Sequence, residues 1–294
     1  MRYEAMERLK FEHSVRKMAN VLGVKEAAFY QWRKRQQNNL TKQAEEEKLI
    51  AKVRKVFEDH ERIYGYRSMK RALEAEEIYL SEYKVRQIMR TSGMYPESYK
   101  KYRPAKSGKA NGRYLENLLS QDFKTSRLNE KWAGDITYIK TKVGWVYMAC
   151  IIDLHNKEIV GYEIAKRADT ELVCRALSYA LVKRNITDKS ALVFHSDRGI
   201  QYASKRFQKM LELNDVKGSM SRAGCPFDNA PTECFISIAK RERIYRKDYL
   251  NIFEVRRDLF DYIEVFYNRK RIQRGLGYVS PLVFRQEIEA RRAA

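Results

Sequence analysis

Apolar positions in this chain recur with a helical period over the first third and with a strand period after residue 130. Val15, Met18, Ala19 and Leu22 fall on one helical face, Gly23 breaks the pattern, and a second helix is expected from about Lys25 to Arg35. The pair reads as a helix-turn-helix. Residues 38 to 47 are polar and predict a hinge. Leu49, Ile50, Val53, Val56 and Phe57 then mark an amphipathic helix. Tyr64-Gly65-Tyr66-Arg67 turns into another helix with Met69 and Leu73, and Ser81 can cap a third with Val85, Ile88 and Met89 inward. From Met94 to Gly112, Lys, Arg, Tyr, Pro and Gly mix without a period, which predicts a linker.

Strand patterns follow at Trp132 to Lys140, Trp145 to Leu154 and Glu158 to Ala165, with connections short enough for antiparallel hairpins. A helix from about Thr170 to Lys183 leads to a strand ending at Asp197. Then come a helix from about Ser204 to Leu213, a short strand near Ser219, and a helix starting after Asp228-Asn229 with Pro231 in its first turn. A last helix carries Ile252, Val255, Leu259, Ile263 and Phe266 inward, before Gly275, Gly277 and Pro281 break the chain. The expected fold class is α/β, a mixed five-stranded sheet with flanking helices behind all-helical modules. The expected divisions are 1–38, 44–93, a basic linker 94–120, and a core 121–290.

Charge sharpens this picture. Fifty-nine Lys and Arg against 38 Asp and Glu leave +21 on 294 residues, far more than solubility requires, so a polyanionic partner is expected. Residues 1–120 hold 27 basic and 16 acidic side chains, so both parts of the chain are basic. Double-stranded DNA suits a helix-turn-helix, whose second helix would offer Lys25, Gln31, Arg33 and Lys34 to the major groove, although any basic helical hairpin has this pattern. Lys84, Arg86 and Arg90 line the outer face of the second unit, as DNA contacts or as a solvated face. In the linker, Lys100, Lys101 and Arg103 with neighbouring tyrosines suit a phosphate backbone, or a spacer that orders on DNA. DNA also accounts for Arg269, Lys270, Arg271 and Arg274. No apolar run approaches the roughly 20 residues of a membrane span, and a cytoplasmic location is expected. Cys150, Cys174, Cys225 and Cys234 lack C-x-x-C spacing and read as free thiols.

Three acids carry the candidate chemistry. Asp135 interrupts a strand, where a charge is costly unless paired or bound. Asp197 closes a strand at a turn, and Glu233 lies 36 positions later in the first turn of a helix. Glu233 alone would be an acid favoured by a helix's positive end. Together, three carboxylates repel until hard cations neutralise them, and oxygen ligands without histidine or thiolate favour magnesium or manganese. Two such ions about 4 Å apart clamp an in-line phosphoryl transfer. Asp153 fits a strand-end cap better than a ligand, Asp228 and Asn229 fit capping of the Glu233 helix, and His195 fits a structural role. Lys240 shares the helical face of Glu233, as a phosphate grip or an exposed lysine.

The spacing of these acids resembles that of DDE transposases and retroviral integrases. The surrounding words are more specific: Trp132-Ala-Gly-Asp135-Ile-Thr-Tyr-Ile139, His195-Ser-Asp197-Arg-Gly199, Phe227-Asp-Asn-Ala-Pro231-Thr-Glu233 and Tyr267-Asn-Arg-Lys-Arg271 with Leu276-Gly-Tyr278-Val-Ser-Pro281. Over nearly its whole length the chain resembles the OrfB-type transposases of bacterial insertion sequence family three. That resemblance implies an RNase H-like integrase core, with Asp135 on the first strand beside Asp197 on the fourth. It implies that Asp135, Asp197 and Glu233 are catalytic ligands of two Mg2+ or Mn2+ ions, and that the segment around Arg67 opens a second helix-turn-helix. It also implies a DNA circle intermediate, homo-oligomers on transposon ends, and a fused or separate upstream helix-turn-helix protein. Gln273 stands where the family commonly has histidine, and Cys225-Pro226-Phe227 where it has Cys-Trp. The alternatives are a non-catalytic DNA-binding repressor or domesticated remnant, and a nuclease that cuts without joining.

Overall fold

In the computed structural model, which describes residues 1–97, 114–186 and 191–293, the strand-patterned region forms one sheet. β1 (Lys131–Thr141), β2 (Gly144–Asp153) and β3 (Ile159–Ala165) pair as an antiparallel meander. β4 (Val193–Ser196) and β5 (Lys217–Met220) add in parallel, giving the order β3-β2-β1-β4-β5. Both faces are covered, which is why these strands carry apolar residues on either side of the pleat. Trp132, Ala149 and Ile151 pack under α6 (Thr170–Arg184) and α7 (Lys205–Leu213). Ala133, Ile139, Met148, Cys150 and Ile152 pack against α8 (Ala230–Glu242) and α9 (Ile252–Phe260). At Gly161 an added Cβ would stand 2.4 Å from the Ala176 carbonyl, so only glycine lets α6 lie this close to β3. This is the mixed, helix-flanked sheet expected of an RNase H-like core.

The N-terminal third is all helical, and its pattern was incomplete in two places. An unanticipated α1 (Arg2–Leu9) supplies Met6 to a small core with Met18 and Ala19 of α2 (Val15–Leu22) and Phe29 of α3 (Glu26–Asp59). Gly23 makes the turn at φ +62°. The expected hinge at 38–47 is instead continuous helix, because α3 runs unbroken from Glu26 to Asp59. That stretch contains no glycine or proline, and Ala44, Glu45, Glu46, Glu47 and Lys48 are good helix formers. Its lack of an apolar stripe makes it a solvated rod between two cores. The second core joins Val53 and Phe57 of α3 to Met69 and Leu73 of α4 (Tyr66–Ala75) and Val85 and Ile88 of α5 (Glu82–Thr91), with Ser81 capping α5 as expected.

At the other end, α9 continues as a π-helical segment, Asp261–Tyr267. Glycines and Pro281 do break the chain, but Pro281 also opens a further helix, α10 (Pro281–Ala293). Asn268 holds this tail to β3: its Oδ1 accepts from the Ile159 N–H at 2.9 Å and its Nδ2 donates to the Ile159 carbonyl at 3.0 Å. The helical unit docks on the core through ion pairs of Arg243 with Glu61 (2.8 Å) and Arg246 with Glu97 (2.6 Å). The Ile272 N–H also donates to the Tyr64 hydroxyl at 2.9 Å. All four cysteines are free thiols. Among the described residues no helix is long and apolar enough to cross a membrane.

Candidate active site

Asp135 and Asp197 come together because β4 ends beside the middle of β1, with which it pairs in parallel. The β1–β4 register runs from Lys131 opposite Val193 to Gly134 opposite Ser196, so the next residue on each strand is one of the aspartates. Gly134 permits the close fit beneath them, since a Cβ there would meet the Phe194 ring at 2.6 Å. Asp197 turns out of its strand by accepting the Gly199 N–H at 2.9 Å, and a Cβ on Gly199 would crowd that carboxylate. Asp135 accepts the N–H of Ile136 at 2.8 Å.

Glu233 arrives on α8, whose start is pinned to β1. Buried Asn229 donates from Nδ2 to the Gly134 carbonyl at 3.1 Å, one residue before Asp135, and Thr232 Oγ1 donates to Asn229 Oδ1 at 3.0 Å. Glu233 follows one helical turn after Asn229. Asn229 was read as a cap, yet its side chain makes no capping bond and serves instead as the brace between helix and strand. Its only sequence signal was adjacency to the Glu233 helix.

The electrostatics follow from this crowding. Burial pushes the Asp135 carboxyl up to about 8, and the charges of Asp197 and Glu233 push the same way; the Ile136 N–H and the Lys240 charge oppose them. Burial also raises Asp197, against the Gly199 N–H. Tyr202, fully buried behind the pair, is raised well above the usual phenol range by burial and by both aspartates. Lys240 lies with Nζ 4.3 Å from the centroid of the Tyr138 ring. The donors are all hard oxygens of one sign, with a proton held up first by burial and then by like charge, a set that suits a hard divalent cation. Among the described residues no three His, Cys, Asp or Glu side chains converge as a ready-made metal cage.

The weighed alternatives resolve on their partners. Asp153 is fully buried and accepts from the N–H groups of Asn129 and His155 (2.9 and 3.0 Å) while Arg184 approaches to 3.3 Å, which is an architectural role. His195 uses both ring nitrogens on Ser219 Oγ (2.8 Å) and Ser221 Oγ (3.2 Å), and burial lowers its pKa, so it is a neutral structural histidine. Asp228 does not cap α8. Its carboxylate takes Arg222 (N, Nε and Nη2), Asn117 and Gln121 at 2.8–3.0 Å, and these bonds, Arg222 foremost, hold it well below the usual carboxylate range.

The residues expected at DNA are distributed unevenly. Lys25, Gln31 and Lys34 are exposed at the start of α3, and Arg33 lies 3.5 Å from Glu7. Arg67 and Arg86 flank the Tyr66 ring at 5.3 and 5.7 Å, Lys84 pairs with Glu46 at 2.7 Å, and Arg90 and Arg269 are exposed. Arg271 is the exception to an outward face, because its guanidinium is committed to Glu242 through Nε and Nη2 at 2.8 and 2.7 Å. Lys100, Lys101 and Arg103 lie outside the described residues. Gln273, where the family pattern has histidine, is buried and forms a bridge with Val279, and Phe227 is exposed.

Integrase core domain models match residues 125–226 and 233–288, and an HTH-like domain model matches 44–102. The transposase InsF for insertion sequence IS3A of Escherichia coli (strain K12) is 34% identical over 97% of this chain and 98% of its own length. The transposase for insertion sequence element IS904 of Lactococcus lactis subsp. lactis (strain IL1403) is 36% identical over 82% of this chain and 95% of its own. Among solved structures, the catalytic core domain of BIV integrase covers 56% of this chain and 99% of its own at 14% identity and a TM-score of 0.42. The Mos1 transposase catalytic domain covers 50% and 77% at 14% identity and a TM-score of 0.40. Identity of 34% to the InsF transposase over nearly the whole of both chains, with the integrase core and HTH-like matches, means that the chain belongs to the IS3 family of transposases.

Proposed function

We propose that this transposase binds the DNA ends of its own element through the helical units and, at Asp135, Asp197 and Glu233, cuts one strand and joins it to a second phosphodiester. The observation that carries the proposal is the meeting of Asp135, within β1, and Asp197, just past the end of β4, with the Glu233 helix braced to β1 by Asn229. Asp135 and Asp197 would hold two Mg2+ or Mn2+ ions between them, and Glu233 would complete one site. When bound, the ions supply charge to activate the attacking oxygen and to stabilise the leaving oxygen.

The chain's own groups do the rest. With cations bound, Asp135 would serve as an ionised ligand, their charge offsetting the burial and the like charges that raise its pKa. Lys240, over Tyr138, offsets phosphate charge at the edge of the site. Each step forms one P–O bond and breaks one, first with water and then with the freed 3′-hydroxyl as nucleophile, so no external energy source is needed. Copies of the chain, alone or with an upstream helix-turn-helix protein, would bring two ends together in the cytoplasm.

A strand-transfer assay with magnesium and labelled DNA from the element's borders tests this. Joined products with wild type and none with Glu233→Gln are expected. Binding without cleavage by either, even with a fusion partner supplied, would leave a repressor or remnant. Cutting without joining would leave a nuclease.

A further inference from the structure

β1 outruns its neighbour. β4 pairs with it only as far as Gly134, and among the described residues no strand meets that edge again until Thr141 bridges to Tyr249. The interval opens a cleft of about 570 Å³ between Tyr138–Lys142 and residues 244–249. Its wall is aromatic: Tyr138 and Trp145 meet edge to face with ring centroids 5.5 Å apart, Trp145 is 41% exposed, and Tyr245 lines the opposite side. Its rim is basic, with Lys140, Lys142 and Lys247 against the single carboxylate of Asp248. Lys240 of α8, the helix that carries Glu233, lies over Tyr138, which is three residues along β1 from Asp135. At ~3.3 Å per strand residue, Tyr138 is about 10 Å along β1 from Asp135, roughly three stacked nucleotides.

An open strand edge is also a template for a strand of another chain. Here the edge is flanked by lysines and by flat aromatic faces rather than apolar pockets, and that combination suits a polyanion whose units stack. We propose that this cleft is a subsite for unpaired bases of the DNA strand leaving the carboxylate site. The bases stack on Tyr138 and Trp145, and the phosphates face Lys140 and Lys142. Because the subsite rests on the reading of the carboxylates as the DNA-cutting site, it is best tested by binding, without turnover.

The full chain is titrated in EDTA with two fluorescent duplexes of the element's end, one flush at the scissile position and one with a four-nucleotide single-stranded extension beyond it. The extension should tighten wild-type binding about ten-fold, the size of one base–aromatic stack. Tyr138→Ala and Trp145→Ala should each remove that gain while the flush duplex binds as before, and Trp145→Phe, which keeps an aromatic face, should restore it. A 5-iododeoxyuridine at the third extension position should crosslink to Tyr138 or Trp145. No gain in wild type, an undiminished gain in both alanine variants, or crosslinks only elsewhere would overturn the proposal. So would concentration-dependent protection of Trp145 in the absence of DNA, which would assign the edge to a second copy of the chain. An intact gain without strand transfer would remove the chemistry and leave the subsite; strand transfer without the gain would do the reverse.

Discussion

The sheet carries two clusters of acids, and they are treated in opposite ways. Asp153 and Glu158 are buried around Arg184, which reaches them at 3.3 and 3.0 Å, and Arg285 stands 3.6 Å from Glu158. Burial raises Asp153, but Arg184 and two backbone N–H groups oppose the shift, and Asn156 ties the cluster to the Pro281 carbonyl at the start of α10. Around Asp135, burial first and then the like charges of Asp197 and Glu233 push the carboxyl up to about 8, with the Ile136 N–H and the Lys240 charge opposing. A cluster neutralised from within holds architecture together. Under the proposed function, a cluster of like-charged acids beside the end of β4 takes a cation from outside.

The comparison breaks most visibly when the acids are neutralised. Asp135→Asn, Asp197→Asn and Glu233→Gln should each lower strand transfer by about 10³-fold or more, since several kcal/mol of transition-state stabilisation are removed at roughly 1.4 kcal/mol per decade. Binding of the end duplex should stay within about three-fold by anisotropy. In the absence of metal, Asp135→Asn should raise the melting temperature in a thermal scan, because a carboxylate whose pKa is raised on folding opposes the folded state above its unfolded pKa.

In the neutralised cluster the sign reverses. Arg184→Met strands two buried carboxylates and should cost about 3–5 kcal/mol in chemical denaturation. The fraction that remains folded should still join DNA at nearly the wild-type rate.

The brace falls between these cases. Asn229→Ala should lower strand transfer roughly ten-fold, as about 1–2 kcal/mol of buried hydrogen bonding between α8 and β1 is lost. Binding of end DNA should be unchanged, so the effect should appear in the rate of joining.

Asp228 gives the smallest effect. Its pKa is depressed, chiefly by Arg222, so it contributes stability above its unfolded value of about 3.9 and loses that contribution as pH falls toward the lowered folded value. Stabilities of wild type and Asp228→Asn should differ by about 1 kcal/mol at pH 7, Arg222 being largely exposed, and converge only as the pH falls through the lowered folded value.

Much of this division was legible in the sequence, and the failures have physical causes. Strand boundaries came from period-two alternation between hydrophobic faces, and the β1 to β3 ranges match the pattern within a residue or so at most ends. Asp135 and Asp197 stood out because a charge interrupts or closes an apolar strand. The continuous α3 was missed because a polar stretch without glycine or proline looks like a hinge when only apolar periodicity is followed, whereas helix propensity sustains it between two anchored ends. Arg271 looked like a DNA contact because charge runs do not reveal which members turn inward to a partner such as Glu242. Asn229 was misassigned since a residue before a helix is usually its cap, and the carbonyl it reaches lies 95 positions upstream.

The most direct measurement is Mn2+ binding to the full chain, followed by electron paramagnetic resonance, in wild type and in the three single carboxylate variants. High-affinity binding in wild type that is weakened at least ten-fold in Asp135→Asn, Asp197→Asn and Glu233→Gln alike is the expected result, because one site would draw on all three acids. Binding by Glu233→Gln that matches wild type would contradict it and separate α8 from the metal.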